Sequence, residues 1–224
     1  MKELRICFVG DSLMLGTNDD NYLGWPGRVC RRERDAGHDV SLYNLGVRAD
    51  TSEQIAARWR AECHARLPET SPGALVFSFG ANDCADQEGF GRRVPLDRSV
   101  AVARGMLASA AAWQPTLWVG PPPVDDSRQP FRAAPSIVYH FPSSRIAELS
   151  DAYAEVAAEL GIPYFDLYRH LVDDPAWPGM YEEDDGVHPI AAGYDVVAEH
   201  IFAWSAWRDW FGAVDRKPQV PSKN

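Results

Sequence analysis

Short apolar runs alternate with longer helical patterns along this chain, and this alternation limits the fold more than any other feature. The runs are bounded by Gly, Pro or Asp, which is typical of strands buried on both faces of a parallel sheet. We predict five strands, at Leu4–Val9, Val40–Tyr43, Ala74–Phe79, Thr116–Val119 and Pro163–Phe165. Strand alternating with helix indicates βαβ units. The predicted fold class is therefore α/β, a three-layer α/β/α sandwich with a central five-stranded parallel sheet.

The intervening segments carry helical patterns with recognisable ends. We predict helices at Thr51–Arg66, Asp97–Trp113, Ser143–Leu160 and Ile190–Trp210. Thr51 is followed three residues later by Gln54, which is a capping-box signal. Asp97 is predicted to cap the second helix, and Gly161 to end the third.

The sequence contains no internal repeat and no recognisable interdomain linker. We therefore predict one domain over residues 1–215, followed by a polar tail over residues 216–224. Two segments, Asp83–Leu96 and Pro121–Pro142, are predicted to be long loops. Loops of such length in a compact domain are often functional.

Composition narrows the classes of partner and compartment. The formal net charge of −10 disfavours nucleic acid and anionic membrane surfaces as partners. The four cysteines form no CxxC pair, so we expect neither a metal site nor a redox motif, and no cofactor. The first ten residues resemble a strand rather than a secretion signal, and no apolar stretch is long enough to span a bilayer. The expected location is the cytoplasm, with reduced thiols.

The tetrapeptide Gly10-Asp11-Ser12-Leu13 directly follows the first predicted strand. Ligands of open α/β sheets bind beyond the carboxyl ends of the strands, so Ser12 is placed where a substrate would lie. Asp and Ser also cap helices often, so the same residues are compatible with a purely structural role.

A second motif, Asp185-Gly186-Val187-His188, precedes the last predicted helix. A serine hydroxyl needs a base to remove its proton before it can act as a nucleophile, and imidazole suits that task. Asp185 is close enough in sequence to orient the His188 ring, as carboxylates do in serine triads. Asp184 is a rival for that role, and a helix-capping Asp beside a surface His is the structural alternative.

Two further motifs offer hydrogen-bond donors for a negatively charged oxygen. The Asn82 side chain follows the third predicted strand, and Gly46 follows the second. Together with the Ser12 backbone N–H, the Asn82 amide and the Gly46 N–H would form an oxyanion hole. Gly, Asn and Asp are also the common turn residues, so simple turn chemistry is the alternative.

Taken together, these motifs resemble those of the SGNH hydrolase superfamily, also called GDSL-type esterases, lipases and acylhydrolases. The matching positions occur in the family's order over residues 4 to about 200, at Gly10, Asp11, Ser12, Leu13, Gly46, Gly80, Asn82, Asp83, Asp185 and His188. The resemblance implies a flavodoxin-like sheet and metal-independent hydrolysis of carboxylic esters or thioesters of small to medium acyl groups.

The resemblance also implies a role for each matching residue. Ser12 would be the nucleophile, His188 the general base and then acid, and Asp185 the residue that orients His188. Ser12, Gly46 and Asn82 would line the oxyanion hole. The implied partner is a small-molecule ester. The same residues would equally serve a carbohydrate O-deacetylase or an acyltransferase, and a binding module that kept the fold is the non-enzymatic alternative.

Residues outside these motifs allow two interpretations each. Val124, Phe131 and Tyr139 are candidates for an acyl-pocket wall or for core packing, and Arg48 and Asp50 for substrate contacts or solvated loop positions. The C-terminal aromatic residues recur at helical spacing, at Trp204, Trp207, Trp210 and Phe211. They predict a helix face that either packs on the sheet or forms the interface of a homo-oligomer.

Overall fold

The structure, a computed structural model, describes residues 1–182 and 185–212. Its strands are β1 (Glu3–Gly10), β2 (Asp39–Gly46), β3 (Gly73–Ser78), β4 (Asp86–Gln87), β5 (Gly91–Arg92), β6 (Thr116–Val119), β7 (Phe131–Ala134), β8 (Ile137–His140), β9 (Tyr164–Phe165), β10 (Tyr181–Glu182) and β11 (Asp185–Pro189). Its α-helices are α1 (Ser12–Leu15), α2 (Gly24–Asp35), α3 (Ser52–His64), α4 (Ala81–Cys84), α5 (Leu96–Ala111), α6 (Ser143–Leu160), α7 (Leu167–Leu171), α8 (Ala191–Ala203) and α9 (Ser205–Phe211). The predicted tail over residues 216–224 and the rival carboxylate Asp184 lie outside the described residues.

Five parallel strands form the central sheet, in the order β2-β1-β3-β6-β9. All five correspond to predicted strands, and the predicted α/β sandwich is confirmed. β1 lies between β2 and β3, with Gly10 level with Gly46 on one side and with Ser78 on the other. The loops that follow these three strands therefore meet at one edge of the sheet.

The two faces of the sheet pack against different helices, as alternating side chains require. Cys7 and Val9 of β1 belong to a core shared with α3, α5 and α6. Ile6 and Phe8 of the same strand belong to a second core, shared with α2, α8 and α9. Successive side chains of a strand point to opposite faces, so one strand supplies both cores. Burial on both faces explains the continuous apolar run Ile6–Val9 in β1.

Helix ends agree with the sequence prediction in two places and differ in two others. Gln54 accepts a hydrogen bond from the Thr51 N–H at 2.8 Å, and Gly161 ends α6 with a φ of 65°. The predicted cap at Asp97 is wrong, because α5 already begins at Leu96 and Asp97 lies in its first turn. The predicted helix Ile190–Trp210 is two helices, since Trp204 takes an extended backbone conformation between α8 and α9.

The two predicted long loops in fact contribute strands to a second sheet. This sheet is antiparallel, with the strand order β5-β4-β8-β7. Its strands are two to four residues long, too short to show a periodic pattern in the sequence. The sheet stands beside the carboxyl end of the central sheet and carries part of the cavity described below.

The C-terminal aromatic residues pack mainly inwards. Trp207 is fully buried, lies 6.3 Å from Phe8 between ring centroids, and donates its indole N–H to Glu33 at 2.7 Å. Phe211 is also buried, while Trp204 and Trp210 are partly buried. Core packing is therefore confirmed for Trp207 and Phe211, and assembly into a homo-oligomer stays a prediction.

No helix within residues 1–182 and 185–212 combines the length and the apolar character needed to cross a membrane.

Candidate active site

Three side chains from opposite ends of the chain form a continuous hydrogen-bonded row. Ser12 Oγ lies 2.8 Å from His188 Nε2, and His188 Nδ1 lies 2.9 Å from Asp185 Oδ2. All three residues are buried. An ionised Asp185 can only accept, so the proton on the imidazole belongs on Nδ1 and leaves Nε2 free to accept the Ser12 proton.

Local backbone structure presents Ser12 at the end of the central strand β1. Gly10 allows this close packing, because a Cβ there would lie 2.1 Å from the carbonyl oxygen of Ser78. Asp11 caps α1 by accepting the Leu13 N–H at 2.9 Å, and Ser12 is the first residue of that helix. Asp11 thus caps the helix, while the adjacent Ser12 lines the cavity described below.

Asp185 and His188 lie on β11, a short strand that the sequence analysis did not predict. Asp185 Oδ1 accepts the backbone N–H groups of Val187 and His188 at 2.9 and 3.0 Å. Its Oδ2 accepts the side-chain amide of Asn18 at 2.9 Å. Burial by itself raises the pKa of Asp185, but the hydrogen bonds that it accepts, led by the one with His188, outweigh burial and hold that pKa below its ordinary value. The carboxylate is therefore ionised beside the imidazole.

The Asn82 side chain stands beside Ser12 with both ends of its amide engaged. Its Oδ1 accepts a hydrogen bond from Arg93 Nη1 at 3.0 Å, and its Nδ2 donates to Asp11 Oδ2 at 3.3 Å. The pKa of Asp11 is raised to about 6 by burial. Asp83, the next motif residue, accepts the backbone N–H of Ser52 at 2.8 Å, so it joins α4 to the start of α3.

The structure does not support the assignment of Gly46 to the oxyanion hole. The Gly46 N–H donates to the Asn44 side-chain oxygen at 3.0 Å. A Cβ at this position would lie 2.3 Å from the Leu15 nitrogen and 2.7 Å from the Asp11 carbonyl oxygen. Glycine is therefore required here because β2 packs directly against the backbone of α1.

Ala49, three residues further on, lines the cavity beside Ser12 and Asn82. Its φ is 65°, a left-handed conformation that is costly for a residue with a Cβ. Within the described ranges its backbone N–H has no protein acceptor, while its carbonyl oxygen accepts Arg93 Nη2 at 2.7 Å. This N–H is thus free to serve a ligand, which the sequence pattern alone did not indicate.

A cavity of about 320 Å³ opens directly on Ser12, Asn82 and His188. Its walls are mostly apolar and come largely from the second sheet and the segment after it: Phe131, Ala133, Tyr139 and Phe141, together with Val187. The Phe131 ring meets the His188 ring edge to face, with 5.3 Å between centroids. Phe131 and Tyr139 thus occupy the predicted pocket wall, whereas Val124 is buried in the core of the α3, α5 and α6 face.

The two charged residues of the β2–α3 loop have different surroundings. Arg48 is exposed and lines the cavity. Asp50 is buried and accepts a hydrogen bond from Arg58 Nε at 2.7 Å, so it has a structural role. Arg58 also donates to the carbonyl oxygens of Gly10 and Leu45, at 2.8 and 2.9 Å, and thereby joins β1 to β2 near the site.

Potential metal ligands are dispersed. In the part of the chain that the structure describes, no group of three or more His, Cys, Asp or Glu side chains could hold a metal ion.

Sequence reasoning missed three residues that contact the site: Asn18, Ala49 and Arg93. Asn18 and Ala49 both have positive φ values, but neither carries a motif. Arg93 lies in a segment predicted as a loop, among other arginines. Only the folded chain shows what these side chains and peptide groups meet.

Comparison with known proteins agrees with this geometry. The model of the GDSL-like lipase/acylhydrolase family matches residues 8–196. A lipase/acylhydrolase from Enterococcus faecalis superposes with a TM-score of 0.71 at 24% identity, over 88% of this chain and 93% of that one. No curated protein matches the sequence significantly.

Two other solved structures share the fold at lower identity. An acetylxylan esterase from Geobacillus stearothermophilus gives a TM-score of 0.69 at 17% identity, over 93% of this chain and 94% of that one. The structure of TesA superposes with a TM-score of 0.66 at 23% identity, over 92% of this chain and 99% of that one. The family match spans most of the chain, including Ser12, Asn82, Asp185 and His188. The chain therefore belongs to the GDSL-like lipase/acylhydrolase family and is an enzyme that acts on ester bonds.

Proposed function

We propose that this protein hydrolyses carboxylic esters or thioesters of small to medium acyl groups through an acyl-enzyme formed on Ser12. The observation that carries the proposal is the row Ser12–His188–Asp185, with contacts of 2.8 and 2.9 Å, at the base of a cavity with apolar walls. A hydroxyl, an imidazole and a carboxylate in this order are the parts that nucleophilic acyl transfer requires.

In the first half of the reaction Ser12 Oγ attacks the ester carbonyl while its proton passes to His188 Nε2. Asp185 stabilises the imidazolium that forms, because its ionised carboxylate already accepts a hydrogen bond from the Nδ1–H group. The C–O bond to the alcohol then breaks, and the alcohol leaves with the proton from Nε2. The acyl group remains on Ser12.

Negative charge on the carbonyl oxygen needs donors that are already in place. The Ser12 N–H lies in the first turn of α1, where helical N–H groups have no partner within the helix. We assign the other two donors to the Asn82 Nδ2 and to the Ala49 N–H, with Ala49 in place of Gly46. All three residues line the cavity. Donors fixed before the reaction stabilise the intermediate without reorganisation.

In the second half water enters from the cavity and loses a proton to His188 Nε2 as it attacks the acyl carbonyl. Collapse of the second tetrahedral intermediate breaks the bond to Ser12 Oγ and returns the proton to it. One ester and one water thus give one acid and one alcohol. Another acceptor at the same place would make the reaction an acyl transfer.

The cavity favours acyl groups of limited size. A volume of about 320 Å³ accommodates a short chain beside the reacting carbonyl, and Phe131, Tyr139 and Phe141 provide the apolar surface that would cover it. Burial of each acyl methylene contributes about 0.8 kcal/mol to binding. We therefore expect activity to rise with acyl chain length until the chain no longer fits between the cavity walls.

Labelling with a fluorophosphonate probe tests the nucleophile directly. We expect the wild-type protein to be labelled on Ser12, and Ser12→Ala to lose labelling and roughly three to six powers of ten in kcat on p-nitrophenyl acetate. Ser136→Ala, at an exposed turn, is the matched control and should keep both the labelling and the kcat of the wild type. Turnover by Ser12→Ala close to that of wild type would remove Ser12 from the mechanism. A second assay adds a competing alcohol to the wild-type reaction, and capture of the acyl group by that alcohol would identify a transferase.

A further inference from the structure

Arg93 bridges the two segments that carry the proposed oxyanion donors Asn82, in α4, and Ala49, in the β2–α3 loop. It lies between β5 and α5, in a segment that carries none of the motif residues. Its Nη1 donates to Asn82 Oδ1 at 3.0 Å, and its Nη2 donates to the Ala49 carbonyl oxygen at 2.7 Å. One planar guanidinium therefore holds a side chain after β3 and a peptide group after β2.

The contact with Asn82 decides which end of the amide is available to a substrate. A guanidinium carries only donors, so the amide oxygen must face Arg93. The amide nitrogen is then left on the other side, where it donates to Asp11 at 3.3 Å, a long hydrogen bond. Without Arg93 the amide could rotate by half a turn and present its oxygen to the oxyanion, which would repel it.

The contact with Ala49 acts on the neighbouring loop in a similar way. Ala49 has a φ of 65°, which a residue with a Cβ adopts only when its surroundings hold it there. The hydrogen bond from Arg93 to its carbonyl oxygen is one such restraint. It orients the loop whose Ala49 N–H faces no protein acceptor among the described residues.

The guanidinium itself is held by the second sheet. The Arg93 Cζ lies 5.1 Å from the centroid of the Tyr139 ring, in a cation–π contact, and Tyr139 is a buried residue of β8 that lines the cavity. The Arg93 backbone N–H also donates to the Ala85 carbonyl oxygen at 2.9 Å. An arginine keeps its charge over the working pH range, so a permanent positive charge stands one amide group behind the oxyanion.

We propose that Arg93 is a positioning residue for oxyanion stabilisation, which fixes the Asn82 amide and the Ala49 peptide and supplies a positive charge behind them. The proposal rests on the proposed function of the Ser12 site. It predicts that loss of Arg93 lowers kcat, because the donors are needed in the transition state, and changes KM little.

A double-mutant cycle tests whether Arg93 acts through Asn82. With p-nitrophenyl acetate we expect Arg93→Gln to lower kcat about 10- to 100-fold with KM within about threefold of wild type. Asn82→Ala should lower kcat on the order of 10²–10³-fold. If Arg93 acts in part through Asn82, adding Arg93→Gln to Asn82→Ala should lower kcat by a smaller factor than Arg93→Gln lowers it in the wild type, because one of the two groups that it orients is already gone. The loss that remains reports the contact with Ala49 and the positive charge.

Two further variants keep the test independent of folding. Arg93→Lys retains the charge but not the planar fork, and should fall between wild type and Arg93→Gln. Arg98→Gln removes an exposed arginine whose ion pair with Glu53 lies on the surface, and should leave kcat unchanged. Circular dichroism and thermal melting establish that each variant is folded before its rate is compared.

The outcomes separate this proposal from the proposed function. Wild-type kcat in both Arg93→Gln and Arg93→Lys, or a change in KM alone, would overturn the positioning role. An equal loss of kcat in the wild-type and Asn82→Ala backgrounds would overturn the action of Arg93 through Asn82. A wild-type protein that fluorophosphonate does not label on Ser12 would instead overturn the site on which it rests. Labelled wild type, with slower labelling of Arg93→Gln, supports both.

Discussion

The Asn18 side chain donates a hydrogen bond to Asp185 Oδ2 at 2.9 Å, although the two residues are 167 positions apart in the sequence. This oxygen is the one that contacts His188 Nδ1. Asn18 lies just after α1, the helix that begins with Ser12. The segment that begins with Ser12, the proposed nucleophile, therefore also holds the carboxylate that contacts His188, the proposed base.

Substitution of Asn18 should slow the reaction without weakening substrate binding. Asn18 has a φ of 67°, so Asn18→Gly removes the amide donor and keeps a conformation that glycine adopts freely. A hydrogen bond to a charged group contributes about 1.5–3 kcal/mol, so we expect kcat to fall about tenfold or more, with KM little changed. Asn21→Gly, an exposed position in the same loop, is the control and should behave like wild type in steady-state kinetics.

The buried Asp11 should make stability depend on pH in a defined direction. Burial raises its pKa in the folded protein from 3.8 to about 6, so the folded state binds the proton more tightly than the unfolded state. Its contribution to stability is therefore fully present below pH 3.8 and is lost as the pH rises through about 6. This loss is on the order of 3 kcal/mol.

Asp11→Asn removes this titration and keeps a residue that caps helices equally well. The difference in the free energy of unfolding, variant minus wild type, should therefore rise between about pH 3 and pH 7 in urea titrations made at several pH values, a window that spans the two pKa values of Asp11. A difference that stays constant over this range would contradict the assignment of the titration to Asp11.

Filling the cavity from the second sheet should change acyl selectivity. Ala133 lines the cavity wall on β7, and a phenyl ring there would occupy a large part of about 320 Å³. We expect Ala133→Phe to lower kcat/KM for p-nitrophenyl octanoate roughly tenfold or more relative to p-nitrophenyl acetate. Ser136→Phe, in the turn between β7 and β8, should leave the ratio of the kcat/KM values for the two esters unchanged. Equal losses on both substrates would show that this wall does not contact the acyl chain.

Local patterns were enough to predict the central sheet and the order of the motifs. Strands β1 and β3 are buried on both faces over most of their length, so they contain the continuous apolar runs Ile6–Val9 and Ala74–Phe77. Ser12 and Asn82 directly follow those strands, and the carboxyl ends of parallel strands meet at one edge. The position of these residues near each other thus follows from the fold class alone.

The prediction for Gly46 shows where such reasoning stops. A glycine after a strand is compatible with an oxyanion donor and with close backbone packing, and no local pattern separates the two. Packing against Leu15 and a hydrogen bond to Asn44 account for Gly46, whereas Ala49 has the free N–H within the described ranges. This distinction depends on distances between segments that are remote in sequence.

The sequence by itself determined the α/β class, the five strands and the residue types of a serine-dependent ester hydrolase, because these depend on local periodicity and on short motifs. Only the tertiary structure decided what surrounds those residues: the second sheet that walls the cavity, the Asn18 contact with Asp185 and the Arg93 contacts with Asn82 and Ala49. Each of these is a pairing between residues far apart in the chain, and the free energy that selects such a pairing comes from the whole folded arrangement.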